Sequence, residues 1–123
     1  MQRRILIVED DPLTALTYRC ALKGHGESYA CHYESTGEGA LAHLRRESPD
    51  AAILDWDLPG ISGLEVLRAI RSDSGLGGLP VLMVTGRCDE ASRDLALTCG
   101  ANQFRNKPLA PAELLGRLRE LLS

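Results

Sequence analysis

Several features that mark other protein classes are absent from this sequence of 123 residues. No apolar run approaches the roughly 20 residues that a membrane-spanning helix needs, and the N-terminus lacks the apolar stretch of a signal peptide. The formal net charge is −3, which gives no electrostatic reason to expect nucleic-acid binding. These absences predict a soluble, cytoplasmic domain whose partners include neither a membrane nor a nucleic acid.

Paired cysteines are also absent. Cys20, Cys31, Cys88 and Cys99 form no C-x-x-C pair, and no histidine stands at metal-ligand spacing from them. We therefore expect reduced cysteines that act as small, mostly buried apolar side chains. A redox role for Cys88, in a predicted loop near Thr85, is an alternative, but nothing nearby argues for a lowered thiol pKa.

What the chain does contain is an ordinary globular composition, with 44% hydrophobic and 25% charged residues. Its length is that of one domain with a real core, so we predict a single domain over 1–123. Strand and helix patterns alternate five times, which predicts an α/β fold with a parallel sheet and helices on both faces. The predicted strands are 3–9, 28–33, 51–54, 80–84 and 102–106.

Helix signals follow each strand. Asp11-Pro12 starts the first helix, and the glycines of 24–26 end it. Capping-box spacing occurs twice, and the last helix begins after a residue that caps poorly. The two boxes are Ser35 with Glu38 and Ser62 with Glu65, and the poor cap is Ala110.

Apolar spacing assigns a buried face to each helix. The first helix is predicted to bury Leu13, Leu16, Cys20 and Ala21. The fourth, around 89–99, has a thin apolar face, so we expect it to be the least well anchored. That face consists of Ala91, Leu95 and Cys99.

Polar residues stand at the ends of four apolar runs. In a parallel sheet the carboxyl ends of the strands open onto one edge, where α/β sheets bind ligands. Asp10 and Asp55 can share a cation only if strands one and three are neighbours, which predicts the flavodoxin-like doubly wound order 2-1-3-4-5. The strand-end groups are Glu9-Asp10-Asp11, Asp55, Thr85 and Lys107-Pro108.

These residue types suit magnesium and phosphate chemistry. Clustered carboxylates repel one another unless a cation intervenes, and Mg²⁺ binds carboxylates while bridging to phosphate. Asp55, at the end of the central strand, is the best-placed nucleophile for an aspartyl-phosphate. The Thr85 hydroxyl and the Lys107 ammonium would each neutralise one oxygen of the transferred phosphoryl group.

Four segments carry a family resemblance over essentially the whole chain: ILIVEDD, AAILDWDLPGISGLEVL, PVLMVTG and GANQFRNKP. The chain resembles the receiver domain of bacterial two-component response regulators. The resemblance implies a phosphoacceptor at Asp55 and Mg²⁺ ligands at Asp10, Asp55 and the backbone carbonyl of Asp57. Glu9 would be the second acid of the pocket, holding a metal-bound water.

The resemblance also implies a switch. Thr85 and Lys107 match the phosphate-contacting pair, and Phe104 matches the aromatic residue that turns inward in the active state. The bond between Lys107 and Pro108 is expected to be cis. A sensor histidine kinase or phosphotransfer protein would donate the phosphoryl group, altering the surface of helix four, strand five and helix five. The domain would be no enzyme beyond its own phosphorylation and dephosphorylation.

Several positions depart from the family pattern. Gly86 stands where alanine is usual, Asn102-Gln103 replaces a frequent acidic pair, and Arg105 occupies a commonly apolar position. The lost acids put one dimer mode of the family, through helix four, strand five and helix five, in doubt. Asp57 is either a solvated side chain or a group that orients hydrolytic water or pairs with Arg87, setting the phosphoryl lifetime.

Three alternatives remain open. Asp55-Trp56-Asp57 resembles the D-x-D of haloacid-dehalogenase phosphatases, although their metal-binding acid pair follows the lysine and here it comes first. A degenerate receiver that is never phosphorylated would not need the intact site residues. The chain is either a single-domain regulator or a piece of a longer regulator or hybrid kinase.

Overall fold

The computed structural model describes residues 2–23 and 29–123. The predicted helix end at 24–26 and the first residue of the predicted strand 28–33 therefore lie outside the described residues. The strands are β1 (Arg3–Val8), β2 (Tyr29–Glu34), β3 (Ala51–Leu54), β4 (Val81–Thr85) and β5 (Gln103–Asn106). The helices are α1 (Pro12–Lys23), α2 (Gly37–Leu44), α3 (Gly63–Ser72), α4 (Glu90–Thr98) and α5 (Pro111–Leu122).

The five strands form one parallel sheet in the order β2-β1-β3-β4-β5, which confirms the predicted topology. In the register, Val8 of β1 lies beside Leu54 of β3, so the residues that follow each strand are neighbours. Thr85, the last residue of β4, pairs with Asn106 of β5. The parallel arrangement thus brings the predicted strand-end residues to the same edge of the sheet.

Two apolar clusters cover the two faces of the sheet. Alternate strand residues enter opposite clusters: Leu54 packs on one face with α2, α3 and α4, whereas Ile53 packs on the other with α1 and α5. Every residue of β3 and β4 is buried. Burial on both faces explains why these strands read as unbroken apolar runs in the sequence.

The predicted buried face of α1 is wrong at three of four positions. Leu13 and Leu16 are 71% and 50% exposed, and Cys20 is also exposed. The helix instead buries Tyr18, Ala21 and Leu22. Spacing shows that leucines share a stripe but not which stripe meets the sheet, and the face carrying the aromatic ring buries the larger apolar area.

The thin anchoring predicted for α4 is confirmed, although by different residues. Its buried residues are Ser92 and Ala96, while Ala91 and Leu95 are exposed. The inward face is rotated by one residue from the predicted face, and the Asp89 side chain caps the helix by accepting hydrogen bonds from the Ser92 amide and hydroxyl at 2.9 Å each. A small inward face of one hydroxyl and one methyl group gives this helix few apolar contacts.

The cap of α2 differs from the predicted capping box. Thr36, not Ser35, is the N-cap, and its hydroxyl accepts from the Gly39 amide at 3.0 Å. Glu38 therefore sits one position too early to complete a box, and its carboxylate accepts instead from the Ile61 amide at 3.4 Å.

The other two cap predictions are confirmed. Ser62 and Glu65 form the reciprocal capping box at the start of α3. Ala110 is the N-cap of α5 and supplies no side-chain hydrogen bond, although its backbone has the extended φ of −64° and ψ of 146° that caps adopt.

The cysteines are free, as predicted, but they are not mostly buried. Cys20 and Cys88 are exposed, and Cys31 and Cys99 are half-buried. No helix in the described ranges 2–23 and 29–123 is long and apolar enough to cross a membrane.

Arg71, in the last turn of α3, joins the loops at the amino ends of β4 and β5. Its guanidinium donates to the carbonyls of Leu79 at 2.7 Å and Gly100 at 2.8 and 3.0 Å. It also donates to the Asn102 side-chain oxygen at 2.9 Å, which in turn accepts from the Val81 amide at 2.8 Å. Asn102, one of the departures from the acidic pair, thus accepts two hydrogen bonds through its side-chain oxygen.

Candidate functional site

Three carboxylates converge at the carboxyl edge of the sheet. Glu9 and Asp10 follow β1 and Asp55 follows β3, and one oxygen of each lies within 4.8 Å of the others. Glu9 and Asp55 are buried, being 6% and 5% exposed, whereas Asp10 is exposed. Since burial of like charges is costly without a counterion, this cluster needs a cation.

Lys107 supplies that charge. Its ammonium donates to Glu9 Oε1 at 2.8 Å and to Asp55 Oδ2 at 3.0 Å. The bond between Lys107 and Pro108 is cis, as the family resemblance implies. One ammonium thus bridges two buried acids that are 46 residues apart in the sequence, as their numbers 9 and 55 show.

Burial and the ion pair change the pKa values of Glu9 and Lys107. Burial raises the pKa of the Glu9 carboxyl, although the Lys107 bond and the Asp11 amide, which donates to Glu9 at 3.1 Å, partly offset this. Burial opposes the charge of Lys107, but the bonds with Glu9 and Asp55 prevail and raise the Lys107 pKa. The ammonium therefore stays charged throughout the neutral range.

The donor set fits a hard divalent cation. All three groups offer carboxylate oxygens, which Mg²⁺ prefers, and the exposed Asp10 leaves the crevice open to solvent. Two buried acids share a single ammonium, so negative charge remains to be compensated. Glu9, Asp10 and Asp55 are therefore the residues that could hold magnesium.

Thr85 lies at the same edge, fully buried at the end of β4. Its hydroxyl makes a long contact of 3.5 Å to Asp57 Oδ2 and accepts from the Arg87 amide at 3.3 Å. The Thr85 carbonyl accepts from the Lys107 amide at 2.9 Å. The backbone thereby links the hydroxyl to the lysine, and the long contact leaves the hydroxyl weakly held.

Phe104 is buried, with 6% exposure, and packs in the cluster that contains Met83 and Ala96. The ring therefore already lies inward in this structure. It connects β5 to the small inward face of α4.

Asp57 is engaged away from the carboxylate cluster. Arg87 donates to Asp57 Oδ1 at 2.8 and 3.2 Å, and its guanidinium lies 4.6 Å from the centre of the Trp56 ring. Asp57 and Arg87 are both largely exposed, so this bridge spans the surface next to the site. Of the two alternatives for Asp57, the structure contains the ion pair with Arg87.

Two residues that position the site were not identified from the sequence. Trp56 is buried, with 6% exposure, and forms the platform on which Arg87 lies. Gly63 brings the start of α3 against the backbone, since a Cβ there would stand 1.9 Å from the Asp55 carbonyl oxygen. The Gly63 amide donates to the Trp56 carbonyl at 2.7 Å. The adjacent Gly-Ile-Ser-Gly segment was the available signal for this close approach.

The remaining departures are accommodated on the surface. Arg105 lies 3.8 Å from the Glu113 carboxylate, and Gln103 donates to Glu120 at 3.2 Å, so β5 and α5 are linked within the chain. A Cβ at Gly86 would meet no atom of the described part of the chain within 4 Å, so space does not explain the glycine.

Comparison with known proteins agrees with this geometry. The family model for the response regulator receiver domain matches residues 5–119. The chain belongs to this family. It is a receiver domain of the two-component response regulators.

Curated relatives of the receiver domain are longer than it. It is 38% identical over 122 residues to the DNA-binding response regulator MtrA of Mycolicibacterium smegmatis, covering 99% of this chain and 51% of that protein. It is 34% identical to the phosphate regulon regulatory protein PhoB of Rhizobium meliloti, covering 53% of it. The chain thus spans about half the length of the curated relatives it matches.

Solved structures share the fold. A response regulator from Chloroflexus aurantiacus superposes with a TM-score of 0.92 at 34% identity, covering 99% of this chain and 98% of that one. The receiver domain of a Pseudomonas aeruginosa sensor histidine kinase superposes with a TM-score of 0.89 at 27% identity, with the same coverages of 99% and 98%. In that structure a magnesium ion is coordinated in the active-site cleft.

Proposed function

We propose that residues 1–123 form one receiver domain that accepts a phosphoryl group on Asp55 in a reaction that requires Mg²⁺. The observation that carries this proposal is the bridge of Lys107 between Glu9 and Asp55, at 2.8 and 3.0 Å. It places a nucleophilic carboxylate, a phosphate-neutralising cation and a metal-binding acid in contact at one point.

The residues have separate roles in this proposal. Glu9, Asp10 and Asp55 hold the magnesium ion with the backbone carbonyl of Asp57, and Lys107 moves from the carboxylates to an oxygen of the phosphoryl group. Bound Mg²⁺ supplies the positive charge that a phosphoryl transfer needs at its equatorial oxygens.

The chemical step is a displacement at phosphorus. A bond forms from an Asp55 carboxylate oxygen to phosphorus while the phosphorus–nitrogen bond of a donor phosphohistidine breaks. The electron pair of that bond stays on the imidazole nitrogen, and the leaving imidazole is neutral because its other ring nitrogen carries a proton. The later hydrolysis of the acyl phosphate returns Asp55 to its carboxylate form, so the domain catalyses only its own phosphorylation and dephosphorylation.

The phosphoryl group would then bias a two-state element. Thr85 can leave its long 3.5 Å contact with Asp57 to bind a phosphoryl oxygen, at little cost in hydrogen bonding. Movement of Thr85 toward the phosphoryl group would change the surface of α4, β5 and α5, where the Phe104 ring already lies inward. Two phosphorylated copies could pair through that surface, without the acids that the family often uses there.

Receiver domains of this family act with histidine kinases, and α1 offers a surface for such a partner. Leu13 and Leu16 are 71% and 50% exposed on the helix that begins directly after Asp10 and Asp11. Apolar side chains beside the acids suit the helix of a histidine kinase or phosphotransfer protein that presents its histidine to Asp55.

The test is intact-protein mass spectrometry after incubation with acetyl phosphate and Mg²⁺. We expect one phosphoryl adduct on the wild type, none on Asp55→Asn, and none when Mg²⁺ is chelated. An unmodified wild-type protein would refute the phosphoacceptor role.

A phosphatase is the competing function, because the D-x-D segment is present in Asp55-Trp56-Asp57. Turnover of a generic phosphate monoester with Mg²⁺ separates the two. A receiver forms at most one acyl phosphate per chain, whereas many turnovers per chain would favour the phosphatase.

A further inference from the structure

A second cluster of potential ligands lies on the outer edge of the sheet, away from Lys107 and the acids. We propose that His32, Glu34 and His43 form a binding site for a transition-metal cation of the zinc type. His32 and Glu34 are on the edge strand β2, and His43 is on α2, which packs against it.

The backbone brings these three side chains together. His32 and Glu34 are two residues apart on a strand, so they project from the same face. The His32 Nε2 atom lies 2.5 Å from Glu34 Oε2, and the His32 and His43 rings stack with centroids 3.8 Å apart. One ligand atom from each residue lies within 4.8 Å of the others.

The donor set selects a different cation from the acidic crevice. Two imidazole nitrogens and one carboxylate oxygen are ligands that suit zinc and its neighbours, whereas magnesium takes oxygen. Three protein ligands leave a fourth tetrahedral position for water, and His32 is exposed enough to admit it. The acidic crevice would therefore bind hard cations such as Mg²⁺, and the histidine site would bind borderline cations such as Zn²⁺.

The stacked rings must part for both to bind one ion. The ring planes are 7° from parallel, and a nitrogen lone pair lies in the plane of its own ring, so one ring has to turn. His43 is buried, at 8% exposure, while the His32 side chain is 46% exposed. His32 can thus rotate toward the ion, and His43 supplies the fixed ligand.

The surroundings favour a cation. His43 lies in the last turn of α2, where the helix dipole attracts positive charge. An opening in the surface borders both histidines and is also lined by Arg4 and Pro49. The Arg4 guanidinium is paired with the Glu47 carboxylate, so its charge is compensated within the pair.

A bound ion would join β2 to α2. Every residue of β2 is only half-buried or exposed, so an ion held by His43 would add a link between this edge strand and α2. The site is also one hydrogen bond from the acidic crevice, because the Glu9 amide donates to the Glu34 carbonyl at 3.0 Å.

Isothermal titration of the full chain with Zn²⁺, at saturating Mg²⁺ and with all thiols alkylated, tests the site. We expect one bound equivalent for the wild type and a loss of affinity of at least about tenfold for His32→Ala and for His43→Ala, since even outer-sphere partners carry that much. His25→Ala, which changes the remaining histidine of the sequence, serves as the matched control and should bind as the wild type does.

The variant Glu34→Gln guards against a folding defect, because it keeps the size of the side chain and should still weaken binding. Asp55→Asn separates this site from the phosphoacceptor role: it should lose the phosphoryl adduct and keep the Zn²⁺ equivalent. Unchanged affinity in both folded histidine variants, or loss of affinity in Asp55→Asn, would overturn the proposal.

Discussion

Arg87 holds Asp57 by two hydrogen bonds, at 2.8 and 3.2 Å, while its guanidinium lies over the Trp56 ring. Asp57 is two residues after Asp55, the proposed phosphoacceptor, and the ion pair spans the exposed surface next to it. The bridge restrains two charged side chains that would otherwise be free to orient a water there.

The first prediction follows from this pair. Arg87→Ala should shorten the lifetime of the phosphoryl group, because it frees the Asp57 carboxylate to orient water and opens the surface above Trp56. An exposed ion pair contributes up to about 1 kcal/mol, which corresponds to a change of up to about fivefold in rate. The lifetime is measured as the decay of the phosphoryl adduct in mass spectrometry.

Asp57→Asn is the second variant of this comparison, since it removes the carboxylate charge and keeps the shape of the side chain. The double variant should decay no faster than Arg87→Ala alone, because the two residues act as one unit. Fully additive effects of the two substitutions on the decay rate would contradict a shared role.

The second prediction concerns the buried acids. Asp55→Asn should raise the free energy of unfolding without Mg²⁺ by about 1–2 kcal/mol, since it removes one of two buried negative charges that share the Lys107 ammonium. It should also lose most of the stabilisation that Mg²⁺ gives the wild type by mass action. Urea unfolding with and without Mg²⁺ measures both effects.

Glu90→Gln is the matched control, because it neutralises an exposed acid on α4. It should leave the Mg²⁺-induced gain in stability intact. An Asp55→Asn protein that is less stable than the wild type in the absence of Mg²⁺ would argue against repulsion among the acids.

The third prediction concerns the first turn of α5, whose N-cap Ala110 supplies no side-chain hydrogen bond. Ala110→Asp should stabilise the protein by about 1 kcal/mol, because a carboxylate at an N-cap accepts from a first-turn amide and faces the helix dipole. The backbone at Ala110 already has the extended conformation that a cap requires. Ala112→Ser, inside the helix, should bring no such gain in urea unfolding.

The fourth prediction is a dependence on pH at the start of α4. Hydrogen bonds from the Ser92 hydroxyl and amide hold the pKa of Asp89 below its usual 3.8. The folded state therefore binds fewer protons there than the unfolded state. The stabilisation is complete above about pH 3.8 and is lost as the pH falls through the lowered pKa.

Asp89→Asn keeps a capping oxygen and removes the titration. The wild type should be the more stable of the two at neutral pH, and the difference should narrow as the solution is acidified below pH 3.8. Hydrogen exchange of the α4 amides measures this difference in stability. Asp94→Asn, in the middle of the helix, is the control. A difference that stays constant with pH would show that the carboxylate charge is not involved.

The strand order and the meeting of the acids with Lys107 were predictable, because parallel alternation sends every strand end to one edge. Which side chains of a helix are buried was harder to predict. The exposed Leu13 and Leu16 of α1 share the spacing of a buried stripe, and only the packing of Tyr18 selects the other face.

Contacts between neighbouring loops were also harder to predict, although the Gly-Ile-Ser-Gly segment signalled one of them. Trp56 beneath Arg87 and Gly63 against Asp55 depend on how two loops approach each other, which no periodicity records. The cluster of His32, Glu34 and His43 was missed for a related reason, since it forms only when α2 packs against β2, which no spacing in the sequence indicates.

The guanidinium of Arg71 anchors the carboxyl end of α4. It binds the Gly100 carbonyl just beyond the carboxyl end of the helix, while the amino end is reached through the loop that follows Thr85. If phosphorylation of Asp55 displaces Thr85 as we propose, the Asp89 end of α4 is expected to move more than its Gly100 end. A partner that distinguishes the two states is therefore expected to contact the amino-terminal turn of α4, the part of the helix farthest from Arg71.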